Sequence, residues 1–110
     1  MKIKDIKAYE ILDSRGNPTV GAEVILSDGS IGASCTPSGA STGKYEAMEK
    51  RDSDTDRYLG KGVLNAVNSI HQEILPILRE KDASDLFSND LLMLEADGSD
   101  SKDNFGANAI

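Results

Sequence analysis

Alternating apolar and polar positions predict a β-hairpin in the first third of the chain. Between positions 20 and 26 every second residue is apolar, and the same period returns between positions 31 and 35. A period of two is typical of a half-buried strand. Asp28-Gly29 lies between the two runs and suits a tight hairpin turn. Residues 19–36 are therefore predicted to form a hairpin.

A further strand is predicted before this hairpin. Residues 2–12 have strand-like composition, although their alternation is less regular. The segment DSRGNP at residues 13–18 is dense in turn-forming residues and must redirect the chain. Together these segments predict a three-stranded antiparallel meander.

Helical periodicity replaces the strand period in the second half of the chain. Pro76 interrupts the first helical run and predicts either two helices or one broken helix. Ser84 is the predicted cap of a further helix. The pattern as a whole predicts an α+β fold, a three-stranded antiparallel β-meander followed by helices. The apolar positions of the first run are Val63, Ala66, Val67, Ile70, Ile74, Leu75, Ile77 and Leu78, and those of the further helix are Leu86, Phe87, Leu91, Leu92 and Leu94.

The last fifteen residues change character twice. Residues 96–104 (ADGSDSKDN) are predicted to form a polar loop. FGANAI follows, and its Phe105 and Ile110 indicate the start of a packed helix. A single helical turn has little stability of its own, because nucleation is costly. We therefore expect residues 1–110 to form one domain that is truncated in its last helix.

Length, charge and cysteine content narrow the class of protein. A chain of 110 residues suffices for one domain with a modest core. The net charge is −7, and residues 81–110 hold seven acids and two bases, which argues against a nucleic-acid partner. No apolar run approaches the roughly 20 residues that span a bilayer, and no secretory signal is visible. Cys35 is the single cysteine, so no internal disulfide forms. We expect a cytoplasmic protein without a membrane partner.

The segment TPSGASTGKYE at residues 36–46 raises the question of a phosphate-binding loop. A P-loop has the pattern G-x-x-x-x-G-K-[ST], in which the final hydroxyl binds magnesium. Here Gly39 and Gly43 are separated by three residues instead of four, and Lys44 is followed by Tyr45. A nucleotide P-loop is therefore disfavoured. The segment begins where the third strand ends, a place where rigid scaffolds commonly present functional loops.

Five stretches of the chain, in matching order and spacing, carry a family resemblance. They are ILDSRGNPTV at 11–20, PSGASTG at 37–43, EAMEKRD at 46–52, YLGKGVLNAV at 58–67 and SKDNFGANAI at 101–110. Together they resemble the N-terminal domain of enolase. The resemblance covers essentially the whole chain, and its motifs are highly specific.

The resemblance implies a glycolytic function. Enolase is a lyase that dehydrates 2-phosphoglycerate to phosphoenolpyruvate, with two Mg²⁺ ions in each active site. A large α/β barrel supplies its catalytic residues, so none is expected in these 110 residues and the chain alone is expected to be inactive. The small N-terminal domain supplies a mobile loop that closes over the active site of the barrel. The barrel domain is thus the implied partner.

One residue of that loop is implied to bind metal. By the family's pattern Ser41 coordinates the second Mg²⁺ through its hydroxyl and its backbone carbonyl, which are the hard oxygen donors that magnesium prefers. Gly39 and Ala40 would lie near the substrate, and closure would exclude water. No Mg²⁺ is expected on this chain alone. The implied loop consists of Ser38, Gly39, Ala40, Ser41, Thr42 and Gly43.

Other conspicuous residues are interpreted as structural. Asp13 and Arg15 are expected to form an ion-paired, turn-forming corner beside the active-site cleft. The acids of residues 46–54 are expected on a solvated surface, not in a metal cluster. His71 is expected to serve in packing or at the surface, and Cys35 to be a small buried residue at the end of a strand.

Three positions depart from the family's pattern. Tyr9 stands where arginine is common, Gly21 where an acid is usual, and Ser53 where glycine is usual. In many enolases, charges at the first two positions pair across the dimer interface with the partner's barrel. Their loss argues against the usual dimer contacts and leaves another homo-oligomer open. An alternative function also stays open, that of a free-standing interaction module that binds a barrel-containing partner.

Overall fold

Three strands form an antiparallel sheet, which confirms the predicted meander. The computed structural model describes residues 1–36 and 47–110. In it, β1 spans Ile3–Leu12, β2 spans Pro18–Leu26 and β3 spans Ile31–Cys35. The strands lie side by side in chain order, and β2 is the central strand. With the helices that follow, this sheet makes the fold α+β, as predicted.

A broken helical run follows the sheet. α1 spans Leu64–Ser69, a π-helical turn spans Ile70–Ile74, and α2 spans Leu75–Leu78. The backbone stays helical across both junctions, so the second of the two predicted alternatives, one broken helix, is confirmed. Pro76 accounts for the π-helical turn, because proline has no N–H to donate and its ring crowds the carbonyl four residues earlier. A short 3₁₀ helix, Tyr58–Gly60, precedes this run.

The last helix differs from its prediction at both ends. α3 spans Leu86–Asp97 and its cap is Asp85, whose carboxylate accepts a hydrogen bond from the Ser88 amide. The predicted cap, Ser84, was wrong because its hydroxyl instead donates to Asp82 at 2.8 Å. The predicted start of the polar loop at residue 96 is too early, because α3 continues to Asp97. Gly98 caps its end in a left-handed conformation at φ 73°. No helix among the described residues is long and apolar enough to cross a membrane.

The core lies between the helices and one face of the sheet. Side chains alternate between the two faces of a strand, and in β1 an irregularity between Ile3 and Asp5 shifts this alternation so that Ile3, Ile6 and Ala8 are all buried. Phe105, near the end of the chain, completes the cluster and is 4% exposed. The buried apolar residues are Ile3, Ile6, Ala8, Val20, Val63, Ala66, Val67, Ile70, Ile74, Leu75, Leu78 and Phe105.

Strand β3 is exposed along its whole length, which corrects the expectation for Cys35. The alternation in β3 suggested a buried thiol, but Cys35 is exposed. Cys35 is paired with Gly21 and therefore lies on the face of the sheet away from the helices, and the position of its strand in the sheet adds to the exposure. β3 lies at the edge, whereas the described helices pack against β1 at the opposite edge. Alternation predicted the strand correctly but could not tell which strand the helices would cover.

Tyr9 and Gly21, two departures from the family's pattern, are direct cross-strand partners. Their Cα atoms are paired in the register of β1 and β2. The aromatic ring of Tyr9 lies over the Gly21 backbone, so that a Cβ built on Gly21 would overlap the ring atom Cε2. Aromatic side chains across from a strand glycine compensate for its missing side chain. The two departures therefore form one packing unit.

We expect Gly21→Ala to lower the free energy of unfolding by about 1 kcal/mol, at the low end for overpacking, because the half-buried ring can turn aside. In a Tyr9→Ala background the same substitution should raise it by about 0.5–1 kcal/mol, because alanine loses less backbone entropy than glycine on folding. Urea denaturation of the four proteins of this double-mutant cycle measures both effects.

Gly32→Ala is the matched control for this cycle. Gly32 lies in β3, and a Cβ built there meets no atom within 4 Å. It should be neutral or stabilising whichever residue occupies position 9. If Gly21→Ala has the same sign with and without the Tyr9 ring, the proposed packing unit is wrong.

Candidate functional site

The predicted lid has one flanking residue on each side that the structure describes. Residues 37–46, and with them Ser38, Gly39, Ala40, Ser41, Thr42 and Gly43, lie outside the described residues. Thr36 on one side and Ala47 on the other are described. The positions of these flanks fix the two ends of the predicted lid.

The first flank is held by three hydrogen bonds around Thr36. Its amide donates to the Val20 carbonyl at 2.9 Å, which extends the pairing of β2 and β3. Its own carbonyl accepts from the Thr19 hydroxyl at 2.7 Å. Its hydroxyl donates to the carbonyl of Asn108 at 3.1 Å. The chain therefore leaves the sheet from a fixed point.

The second flank is held by the same asparagine. The amide of Lys50 donates to Asn108 Oδ1 at 2.9 Å, and Asn108 Nδ2 donates to the Lys50 carbonyl at 3.1 Å. The residue before Asn108 adds a backbone bond, because the Ala107 amide donates to the Met48 carbonyl at 2.9 Å. Asn108 is only 4% exposed. Its backbone and its side chain thus tie both flanks of residues 37–46 to one place.

Glycine is required beside this asparagine. Gly106 has a φ of 92°, which L residues rarely adopt. A Cβ there would also lie 2.6 Å from Asn108 Oδ1 and 2.9 Å from the Lys50 nitrogen. The amides of Ala109 and Ile110 both donate to the Gly106 carbonyl, which closes the turn that carries Asn108. Gly106 therefore makes room for the bonds between Asn108 and Lys50.

Asp97 connects this turn to the end of α3. Its carboxylate accepts from the Phe105 amide at 2.7 Å and from the amide and hydroxyl of Ser99. Burial, the largest single influence, raises the pKa of the Asp97 carboxyl, but the hydrogen bonds from Ser99, Phe105 and Asn104 outweigh it and leave that pKa below its ordinary value. Asp97 is only 3% exposed. It fixes residues 98–105 as a rigid link between α3 and Asn108.

Two carboxylates satisfy the first amides of α1. Glu10, from β1, accepts from the Val63 amide at 2.9 Å and from both terminal nitrogens of Arg57. Asp52 accepts from the amides of Leu64 and Asn65 at 2.9 and 2.8 Å. The Arg57 guanidinium, the largest influence, holds the pKa of Glu10 below its usual value, and the Val63 amide adds to the effect. This network fastens α1 and the segment before it to the sheet.

The DSRGNP corner has the structural role expected for it. Asp13 accepts from the amides of Asn17 and Arg15 at 2.9 and 2.8 Å, and Arg15 Nη2 lies 3.7 Å from its carboxylate. The Asn17 bond is the largest cause of a lowered pKa at Asp13. Gly16 supplies the left-handed residue of the turn at φ 78°. An open cavity of about 490 Å³ lies between this corner and Thr36.

His71 and two of the acids of residues 46–54 have defined partners in the fold. His71 is structural, because its Nε2 accepts a hydrogen bond from the Ala8 amide at 2.9 Å and joins the π-helical turn to β1. The solvated surface expected for the acids of residues 46–54 is correct for Asp54, which is exposed, and wrong for Asp52 and Glu49. Asp52 caps α1, and Glu49 pairs with Arg51 at 2.6 Å. Composition alone could not predict that Asp52 and Glu49 have these partners, because the fold brings the partners together.

Within residues 1–36 and 47–110, no three histidine, cysteine or acidic side chains come together in a group that could hold a metal ion. What the described residues build instead is a platform, defined here as Thr36, Lys50, Gly106 and Asn108 with their hydrogen bonds. Sequence reasoning missed the role of Asn108, although the GANAI motif that contains it contributed to the family resemblance. Nothing in the spacing indicates that Asn108 would bind both flanks.

These features define a small α+β domain in which a meander and a terminal turn hold both flanks of a short segment. The comparison with known families agrees with that class. The family model described as "Enolase, N-terminal domain" matches residues 3–110. The chain belongs to the enolase N-terminal domain family.

We expect Asn108→Ala to lower the free energy of unfolding by about 2 kcal/mol, because it leaves the N–H and the carbonyl of Lys50 without partners. Hydrogen exchange at the Lys50 amide should accelerate by about tenfold or more. Asn65→Ala is the control, since Asn65 is exposed in α1. Unchanged exchange at Lys50 would show that Asn108 does not hold the second flank.

We expect Glu10→Gln to cost about 2 kcal/mol at pH 7, because a charged hydrogen-bond acceptor is removed from Arg57 and Val63. The folded pKa of Glu10 is lowered, so its contribution is complete above the unfolded pKa and is lost as the pH falls through the folded pKa. The difference between wild type and variant should therefore shrink between about pH 6 and about pH 3. Urea denaturation at both ends of this range, with the exposed Glu95→Gln as control, measures it. An equal difference at both pH values would contradict the charge-based explanation.

Proposed function

We propose that this chain is the N-terminal domain of an enolase, which dehydrates 2-phosphoglycerate to phosphoenolpyruvate. The observation that carries the proposal is the family match over residues 3–110 together with the platform at both flanks of residues 37–46. A lid must start and end on rigid supports if its closure is to be reproducible. Asn108 holds both supports, because it is hydrogen-bonded to Thr36 on one flank and to Lys50 on the other.

Within this proposal the segment between the flanks is the lid, and Ser41 is its metal ligand. Serine and backbone oxygens fit the donor preference of Mg²⁺, which keeps several waters and takes few protein ligands at substrate phosphates. The ion, when bound, supplies positive charge where negative charge develops on the substrate. In this proposal the domain contributes one ligand, and the barrel and the substrate complete the site.

The tasks of this chain's residues are positioning and exclusion of water. The lid would bring the oxygens of Ser41 to the site, while Gly39 and Ala40 would allow close approach to the substrate. Thr36 and Lys50 would stay on the platform while the residues between them move. The proton transfers belong to the barrel, so the chain alone is proposed to be inactive. A cytoplasmic location accompanies this glycolytic role.

The proposed domain is not expected to form the usual enolase dimer. That dimer uses charges at the positions of Tyr9 and Gly21, and here the ring of Tyr9 covers Gly21 instead. An uncharged pair offers nothing to the charged groups that it would meet on a partner's barrel. Assembly through other surfaces is compatible with this argument.

Complementation tests the proposed function directly. The chain is mixed with the barrel fragment of an enolase, Mg²⁺ and 2-phosphoglycerate, and phosphoenolpyruvate formation is followed by its ultraviolet absorbance. We expect no turnover by either part alone and turnover by the mixture. Ser41→Ala should lower that turnover by at least about tenfold. Tenfold is the lower end of the range for removal of a group that only supports a metal ligand.

Ser30→Ala is the matched control, because Ser30 lies in the hairpin turn at the other end of β3 from the lid. Calorimetric binding of the barrel fragment separates two failures. Binding without turnover would support the interaction module as the function instead. Turnover that Ser41→Ala leaves unchanged would refute the metal-ligand role, and turnover by the chain alone would refute its dependence on a barrel.

A further inference from the structure

Helix α3 has two apolar faces, and the core uses only one of them. Its sequence, LFSNDLLMLEAD, contains six large apolar residues. Asn89, Leu92, Met93 and Asp97 lie on the face that meets the rest of the domain. A surface helix normally presents one apolar stripe and one polar face. Apolar residues on the side of α3 that faces away from the core are therefore unusual.

The outward face carries a continuous apolar stripe. Phe87, Leu91 and Leu94 are spaced as i, i+4 and i+7, so they share one side of the helix. Their exposed fractions are 80%, 44% and 41%, and Leu86 at the start of the helix is 70% exposed. Single exposed apolar residues are ordinary, whereas a contiguous stripe indicates an interaction surface. We refer to Phe87, Leu91 and Leu94 as the α3 stripe.

The stripe is held in a fixed orientation. Asn89 Nδ2 donates to the Asp82 carbonyl at 2.9 Å, and Asp97 anchors the other end of the helix. The segment before α3 is tied to the start of the sheet, because the Ile3 amide donates to the Lys81 carbonyl at 2.9 Å. Rotation of α3 to bury the stripe would break these bonds. These bonds therefore keep the stripe exposed to solvent in the part of the chain that the structure describes.

Carboxylates lie on both sides of the stripe. At about 100° per residue, Asp90 falls on one side of Leu91 and Glu95 on the other. α3 contains no lysine or arginine. A cavity of about 300 Å³ opens between α3 and the turn before it, with Leu91 and Leu92 in its wall and Asp82, Asp85 and Glu95 beside them. Lys81 is the single basic residue of that wall.

We propose that the α3 stripe binds a basic amphipathic helix of another protein, with the cavity receiving one of its apolar side chains. An apolar stripe of about two turns matches the i, i+3, i+4, i+7 anchors of a helix laid along it. Acidic rims on both sides select lysine and arginine at the edges of that helix. Neither the lid nor the platform takes part, so this surface is independent of the proposed enolase function.

Charge argues against the other occupants of such a surface. Two copies of this chain packed stripe to stripe would bring Asp90 and Glu95 against their own counterparts. An anionic membrane would meet the same carboxylates, and like charges at close range are unfavourable. A basic helix neutralises both rims. Charge complementarity therefore selects it.

The test uses a labelled peptide of about 18 residues, built from leucine and lysine with leucine at the i, i+3, i+4 and i+7 positions. Fluorescence anisotropy against the 110-residue chain measures its binding at low and high salt. We expect binding that weakens as salt rises, because exposed charges at the rims are screened. A shuffled peptide of the same composition and a leucine–glutamate peptide of the same pattern should not bind.

Variants assign the binding to the stripe. Phe87→Ser with Leu91→Gln should weaken binding by about tenfold or more, because central apolar anchors carry most of the affinity of an interface. Asp90→Asn with Glu95→Gln should weaken it about threefold or more and flatten the salt dependence. Leu64→Gln is the matched control. The exposed fraction of Leu64, 42%, is similar to that of Leu91, but Leu64 lies in α1 and not in α3. Thermal unfolding of each variant verifies that it is folded.

Several results would overturn the proposal. One is that the shuffled or the leucine–glutamate peptide binds as tightly as the leucine–lysine peptide. Another is that both double variants bind that peptide as tightly as the wild type. A third is that Leu64→Gln weakens binding as much as the stripe variant does. Self-association in sedimentation that Leu91→Gln abolishes would make a second copy the occupant instead. Binding to anionic phospholipid vesicles that Phe87→Ser abolishes would assign the stripe to membranes.

Discussion

Asn108 is the constraint on which the functional end of this domain depends. Its carbonyl accepts from Thr36, and its side-chain amide forms two bonds with the backbone of Lys50. A buried primary amide is well suited to this task, because it can donate to a carbonyl and accept from an N–H at once. Its own position depends on Gly106 and, through residues 98–105, on Asp97. The flanks of the proposed lid are therefore supported by a chain of contacts that begins in α3.

The outer face of the sheet contains two residues whose roles cannot be separated. Taken one at a time, Tyr9 and Gly21 are an aromatic residue and a glycine in neighbouring strands. In the fold they are cross-strand partners, and the ring of one occupies the space that a side chain of the other would need. A change at either position alters what the other can accept.

The elements of the fold could be predicted because their signals are local. Alternation located β2 and β3, strand-like composition located β1, and helical spacing located the run that contains Pro76. Ser84 and Asp85 are adjacent candidates for one cap, and only the geometry of the turn decides between them. The exposure of Cys35 and the burial of Asp97 depend on which surfaces meet. The platform could not be predicted, because Thr36 and Asn108 are separated by 72 residues and no pattern in the chain connects them.

The distance along the chain between the parts of the platform also determines when it can form. A ribosome adds roughly 5–20 residues each second, so the meander and the first helical run emerge well before Asn108 does. Hairpins and helices form within microseconds, whereas closing a long loop waits for its far end. Newly synthesised chains therefore pass through a stage in which the sheet exists but the two flanks of residues 37–46 have not been joined. In this domain, the structure nearest to the proposed chemistry is completed only after the meander and the first helical run have been synthesised.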